Sequence, residues 1–298
     1  MSHEERYLQE ILAEQKLAND SAQMKALRNE REAVEKLLDA SFSSCDYSIR
    51  YGGSKAKGTL IKEMYDLDIV FYLHNGEEGA GKALEDIFFN VAKALRNAYT
   101  VQEKTSALRL RSKDGKSDLR IDVVPGRFTS DDGTDCYLYQ NGAEKCRLKT
   151  NLDTHIAHVR DSGVLDAIGI LKLLRVRFGL SIKQFAWELL VIELLKSKKK
   201  SSLSSQLDHV LRSIEESDRP ITIQDPANPT GNDLMPLLKA SWSELRSTAQ
   251  RVRTEVANDG WRGVFGDLES EKAARIARLT SAASSIATPI RPWSIKKK

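Results

Sequence analysis

Residues 52–68 read Gly52-Gly53-Ser54-Lys55-Ala56-Lys57-Gly58-Thr59-Leu60-Ile61-Lys62-Glu63-Met64-Tyr65-Asp66-Leu67-Asp68, and the run continues as Ile69-Val70-Phe71-Tyr72-Leu73. A glycine–serine turn and a basic loop lead into a strand that opens with two aspartates. Successive strand side chains leave opposite faces, so Asp66 and Asp68 share one face while Leu67 and Ile69 point into a core. Like charges on one face repel and call for a counter-charge. A pair of divalent cations about 4 Å apart supplies it, and hard carboxylate oxygens suit Mg²⁺ or Mn²⁺.

A third carboxylate follows in Leu119-Arg120-Ile121-Asp122-Val123-Val124-Pro125. Leu119, Ile121 and Val123 form one face of this second strand and Asp122 leaves from the other. Set beside residues 66–73, it completes a three-carboxylate cluster able to hold two ions for in-line phosphoryl transfer. Gly53 and Ser54 supply the other half: a small residue lets backbone N–H groups approach a phosphate, and a hydroxyl adds a donor. Lys57 neutralises phosphate charge, and Lys55 and Lys62 steer a polyphosphate inward. A lone Gly-Ser or a lone D-x-D is weak; together, with a later strand aspartate, they are specific. The competing view, an ordinary turn with exposed strand aspartates, requires a buried-looking strand pair to spend three charges without function.

Around this segment the chain divides in two. Residues 3–40 carry helical periodicity without Pro or Gly and read as one long brace helix. A strand over 47–51, a helix over 84–97 and strands over 106–112 and 118–124 follow. Lys113-Asp114-Gly115-Lys116 makes the hairpin turn, and Pro125-Gly126 stops the second strand. Residues 126–150 are irregular, with room for a strand or two. Beyond 150 only helices are expected: 164–178, closed by Gly179, then 183–196, 207–214, 233–258 and 267–286, with a frayed tail over 290–298. The predicted fold class is α+β, a mixed sheet with helices over residues 1–150 followed by a helical domain over 151–298.

Composition agrees. The 298 residues, at roughly 150 per domain, suggest about two domains. With 17 Gly and 7 Pro the chain falls below the typical ~12%, which favours helix and excludes collagen-like or low-complexity classes. A net charge of +4 does not demand nucleic acid as a partner. Cys45, Cys136 and Cys146 are odd in number and lack C-x-x-C spacing, which fits free thiols in a reducing cytosol. Zinc-finger spacing is absent. The charged start is not a secretory signal. The longest apolar stretch, 185–195, contains Glu188 and Glu193 and falls short of the ~18 residues of a span. A cytoplasmic protein with no membrane partner is expected.

The turn and the three aspartates resemble the polymerase-β-type nucleotidyltransferase superfamily. Within it the likeness is closer to the 2′-5′ oligoadenylate synthetases, cyclic GMP–AMP synthase and the bacterial relatives that make cyclic oligonucleotides. Leu171-Lys172-Leu173-Leu174 resembles the helix whose lysine contacts the triphosphate. Gln184-Phe185-Ala186-Trp187-Glu188-Leu189-Leu190 is similar to the synthetase segment Gln-Tyr-Ala-Leu-Glu-Leu-Leu, which implies that Gln184 and Phe185 lie along the donor base. Asp225-Pro226-Ala227-Asn228-Pro229-Thr230-Gly231-Asn232 is similar to another turn of those synthetases. Bare chemistry says less. It makes Lys172 a snorkelling surface lysine, Phe185 a core residue, and residues 225–232 a structural turn. His155 and His158, at i, i+3 spacing without a third ligand, read as ordinary surface or interface.

The resemblance implies a cyclic oligonucleotide synthase of an antiphage signalling system. It would take ATP and other nucleoside triphosphates with two Mg²⁺ or Mn²⁺ ions held by Asp66, Asp68 and Asp122. Asp122 would polarise the attacking ribose hydroxyl, and Gly53, Ser54, Lys57 and Lys172 would hold the triphosphate. A downstream effector would be reached through the product, and a regulatory protein partner is implied. The alternative is a linear 2′-5′ oligoadenylate synthetase switched on by double-stranded RNA at the basic cluster 196–200. A third class is a catalytically dead scaffold that binds nucleotides or proteins. The core motif alone also admits a tRNA-tailing or antibiotic-modifying transferase.

Overall fold

Strand β2 (Asp66–Leu73) lies inside the sheet, between β1 (Tyr47–Tyr51), which it pairs antiparallel, and β5 (Arg120–Phe128), which it pairs parallel. Its last five residues, Ile69 to Leu73, are buried on both faces, as a covered central strand requires. The computed structural model describes residues 2–113, 115, 119–269 and 271–273. Strands β4 (Leu108–Ser112) and β3 (Tyr99–Glu103) extend the sheet in the order β1-β2-β5-β4-β3, and β6 (Cys136–Tyr139) and β7 (Arg147–Thr150) branch from the far end of β5. The strands expected in the irregular stretch are therefore present. Of the expected hairpin turn, Asp114 and Lys116 lie outside the described residues.

One face of the sheet is apolar. Ile69, Phe71 and Leu73 share a core with Val34 and Leu38 of α2 (Ala22–Ser41) and with Ile87, Phe88 and Val91 of α4 (Leu84–Leu95). On the opposite face Val70 and Tyr72 pack with Phe128, Cys136 and Leu138. Asp66 and Asp68 occupy the same face as Val70 and Tyr72, at the end of β2 that this small cluster leaves open.

Several boundaries differ from the sequence reading. Strand β5 runs through Pro125-Gly126 instead of stopping there. The missing proline N–H is tolerated because β5 changes neighbours at that point: β4 pairs with residues up to Val123 and β6 starts at Gly126. Gly126 is needed by the incoming strand, since a Cβ there would lie 2.6 Å from Cys136 Sγ and 2.9 Å from Tyr137 O. The brace helix is two helices, α1 (His3–Glu14) and α2, with Ser21 capping the second by accepting from Met24 N at 3.2 Å. The break is held by Gln15. Its carbonyl accepts from Lys62 N at 2.8 Å, and its amide accepts from Glu63 N and donates to Glu63 Oε1. Periodicity alone does not see such a tertiary contact. The two pieces serve different cores, because Tyr7, Leu8 and Ile11 pack among the helices that follow residue 150.

Those helices are α5 (Leu152–Arg160), α6 (Leu165–Arg177), α7 (Gln184–Leu194), α8 (Leu203–Glu216) and α9 (Met235–Phe265). Helix α8 starts at Leu203, earlier than expected, because Ser202 caps it. Helix α9 kinks at Gly260 (φ 66°), where Trp261 N donates to Glu4 Oε2 at 3.0 Å. Of the helix expected over 267–286, residues 270 and 274–286 lie outside the described residues, as does the tail. Among the described residues no helix is long and apolar enough to cross a membrane. Gly126→Val is expected to cost about 1–3 kcal/mol by overpacking, read as a lower urea midpoint with unchanged m-value.

Candidate active site

Parallel pairing sets Asp68 directly beside Asp122 and Asp66 beside Arg120. All three aspartates therefore leave one face of two adjacent strands, as the sequence predicts. Burial, with the Asp122 and Asp66 charges added, pushes Asp68 up to about 6. Burial and Asp122 also raise Asp66, against the opposing charges of Arg120, Arg109 and Lys172.

Sequence reasoning missed the group that answers this repulsion. Arg109, opposite Asp122 on β4, donates from Nε to Oδ1 at 2.8 Å and from Nη2 to Oδ2 at 2.6 Å. The fork-to-carboxylate pair is the strong bidentate kind. The alternation Leu108-Arg109-Leu110 places Arg109 on the polar face, but only the strand register sets it against Asp122. Among the described residues, no three His, Cys, Asp or Glu side chains are gathered closely enough to hold a metal ion as they stand. The donor set still suits a hard cation: three carboxylates share one face, and burial together with their mutual repulsion raises Asp68. Cation binding by Asp122 would have to compete with the Arg109 fork.

The loop after β1 turns back onto this face, with Gly52 N donating to Asp68 O at 3.0 Å. Gly53 has φ +65°, and a Cβ there would lie 1.6 Å from Asp68 Oδ2. The glycine is thus demanded by the aspartate as well as by any phosphate. Ser54 is buried at the start of the short helix α3 (Gly53–Lys57), and Gly58 closes it in the left-handed conformation. Lys55 and Lys62 are exposed.

Three side chains of the helical half meet this loop. Glu188 of α7 is fully buried; it accepts from Lys57 Nζ at 2.8 Å, Thr59 Oγ1 at 3.0 Å and Gln184 Nε2 at 3.2 Å. Its partners come from both halves of the chain, and no role had been assigned to it. Lys172 is not a surface lysine. It is 3% exposed, donates to Thr59 O at 3.1 Å, and burial pushes it down to about 8. Phe185 is half-buried instead of core, its ring 4.7 Å from that of His155 and 5.4 Å from Lys57 Nζ. Gln184 lies beside it, its Oε1 buried without a hydrogen-bond partner among the described residues. A cavity of about 780 Å³ opens beside Asp66, lined by Met64, Tyr65, Arg120 and Arg175 among others.

No protein-family model matches the chain, and no curated protein matches it. Solved structures do. The Bradyrhizobium diazoefficiens CD-NTase CdnG in complex with GTP is 13% identical, with a TM-score of 0.67 over 93% of this chain and 100% of that one. E. coli MS115-1 CdnC, in its complex with HORMA-deltaN, is 16% identical, with a TM-score of 0.65 over 90% of this chain and 98% of that one. Vibrio cholerae DncV cyclic AMP-GMP synthase, a prokaryotic cGAS homolog, is 14% identical, with a TM-score of 0.57 over 86% and 79%. The fold is therefore the α+β nucleotidyltransferase fold that the motifs imply.

Arg109→Gln would leave the three carboxylates facing one another without the fork. In metal-free buffer it is expected to cost about 2 kcal/mol. Added Mn²⁺ is expected to raise its melting temperature by more than it raises that of the unaltered protein. Equal responses to Mn²⁺ would show that Arg109 and the cation do not compete.

Proposed function

We propose that this chain is a metal-dependent nucleotidyltransferase that joins nucleoside triphosphates into a cyclic oligonucleotide signal for antiphage defence, releasing pyrophosphate. The supporting observation is the register of Asp68 on Asp122 with Gly53 folded against Asp68. Residues 1–150 would form the catalytic unit and residues 151–298 the helical unit that closes over the nucleotide. The protein would work in the cytoplasm, and the solved complex of CdnC with HORMA-deltaN favours a protein partner here too.

In the step proposed, the ribose hydroxyl of one nucleotide attacks the α-phosphorus of another. The new O–P bond forms as the α–β bridging P–O bond breaks, and pyrophosphate leaves with that electron pair. Asp66, Asp68 and Asp122 would hold Mg²⁺ or Mn²⁺, which when bound supplies Lewis-acid stabilisation of the leaving group. Asp122 polarises the hydroxyl and receives its proton. Gly53 and Ser54 orient the β- and γ-phosphates, and Lys57 and Lys172 offset their charge. Phe185 and Gln184 face the base. A triphosphate would draw Lys57 from Glu188, which keeps Thr59 and Gln184 as donors.

Incubation with all four triphosphates and Mg²⁺, followed by mass spectrometry, is expected to reveal a phosphatase-resistant product. Asp66→Ala and Asp68→Ala are each expected to reduce the rate by at least about 10²-fold. Phosphatase-sensitive linear products would overturn cyclisation. Activity that requires added double-stranded RNA and falls steeply with salt would instead favour the oligoadenylate synthetase reading, for which the exposed Lys198, Lys199 and Lys200 are the relevant surface.

Lys172 adds a pH signature. Its position near 8 lies below the ordinary lysine value, so the free protein loses this charge as pH rises through 8. Triphosphate affinity is expected to weaken between pH 7 and pH 9, and Lys172→Met to flatten that profile while weakening binding at pH 7.

A further inference from the structure

His155 and the turn at 225–232 have no part in phosphoryl transfer, yet the fold connects them to the nucleotide platform. Asp225 is 1% exposed. Its Oδ1 lies 2.7 Å from His155 Nε2 and also accepts from Ala227 N at 2.9 Å. Its Oδ2 accepts from Asn232 Nδ2 at 2.6 Å. The turn thus holds the carboxylate with two of its own donors, and Asn228 Nδ2 ties the turn to Lys149 O at the end of β7. A carboxylate so held fixes which edge of the imidazole faces it, and hence the plane of the ring.

That ring is set against Phe185, at 4.7 Å between centroids and 48° between planes. Lys57 Nζ also lies over the Phe185 ring. An aromatic side chain at a half-open position sweeps through rotamers unless neighbours restrict it, and the conformers still populated have to be frozen out when a base stacks. His155 provides that restriction before the ligand arrives.

We propose that His155, anchored by Asp225, is a positioning residue that pre-orients Phe185 for stacking with the nucleobase of a nucleoside triphosphate. The proposal rests on the assignment of Phe185 to the base. It gives the two histidine-and-turn features one role: Asp225 sets the imidazole, the imidazole sets the phenyl ring, and the phenyl ring meets the base. The contact is to the flat face of the base, so it strengthens binding of every base and most of all the purines, which offer the larger face.

The test uses 2-aminopurine riboside triphosphate, whose fluorescence is quenched on stacking, with KM and kcat measured for ATP. His155→Ala is expected to reduce the quench and raise KM about 10-fold, with kcat within about 2-fold. His155→Gln retains a donor for Asp225, so it is expected to melt with the unaltered protein and yet lose the quench as His155→Ala does. It decides the matter if His155→Ala fails to fold. The double variant His155→Ala/Phe185→Ala is expected to bind no more weakly than Phe185→Ala alone, as coupling through one ring requires. If Phe185→Ala weakens binding while both His155 variants leave quench and KM unchanged, the positioning role is overturned. If Phe185→Ala itself leaves them unchanged, the assignment of Phe185 to the base fails instead.

Discussion

Asp68 and Asp122 stand side by side on a parallel ladder, with Asp66 two residues along the same face. Like charges so placed repel, and burial removes the water that would screen them. Much of the surrounding structure answers that repulsion. Arg109 reaches across from β4 and grips both Asp122 oxygens. Lys172, itself buried, contributes a positive charge from the helical half. Gly53 carries no side chain because Asp68 fills the place where one would go. The cluster holds its charge at the cost of a raised Asp68.

A second buried charge joins the two halves of the chain. Glu188, without contact to water, would be expensive unless fully bonded. Lys57 and Thr59 come from the loop after β1 and Gln184 from the preceding turn of its own helix, so three donors surround it. Removing Lys57 would leave the buried carboxylate with Thr59 and Gln184 as donors but without its ion-pair partner. The placement of Lys57 and the packing of the helical half against the loop after β1 are thus one problem with one solution. The Gln15 contacts with Lys62 and Glu63 fasten the other side of the same loop segment.

The three-aspartate motif was legible because its signals are short-range. Period-two alternation puts Asp66 and Asp68 on one face and Asp122 on the polar side of its strand, whatever the sheet order. The apolar runs of α6 and α7 announce buried helices in the same way. The bare-chemistry readings of Phe185 as core and Lys172 as a surface lysine, and the unbroken helix expected across Gln15, miss for a common reason. Each depends on a neighbour at least thirty positions away: His155 for Phe185, Thr59 for Lys172 and the 62–63 segment for Gln15. Local pattern could not distinguish a lysine that snorkels to water from one that reaches a buried carbonyl. Pro125 was read as a stop because a proline N–H is missing; the strand continues because its neighbours change at that position.

The sequence by itself determined most of the elements, the α+β class and the shared face of Asp66 and Asp68, because alternation, capping and turn chemistry act over a few residues; the split of the first helix, strand β3 and helix α5 were not among them. Tertiary structure decided what the three carboxylates face. Arg109 opposes Asp122 only through the β4–β5 register, and Glu188, Lys172 and His155 reach the site only when the helices fold over the sheet. Charge pairing acts through space over a few ångströms, and separation along the chain carries almost no information about it.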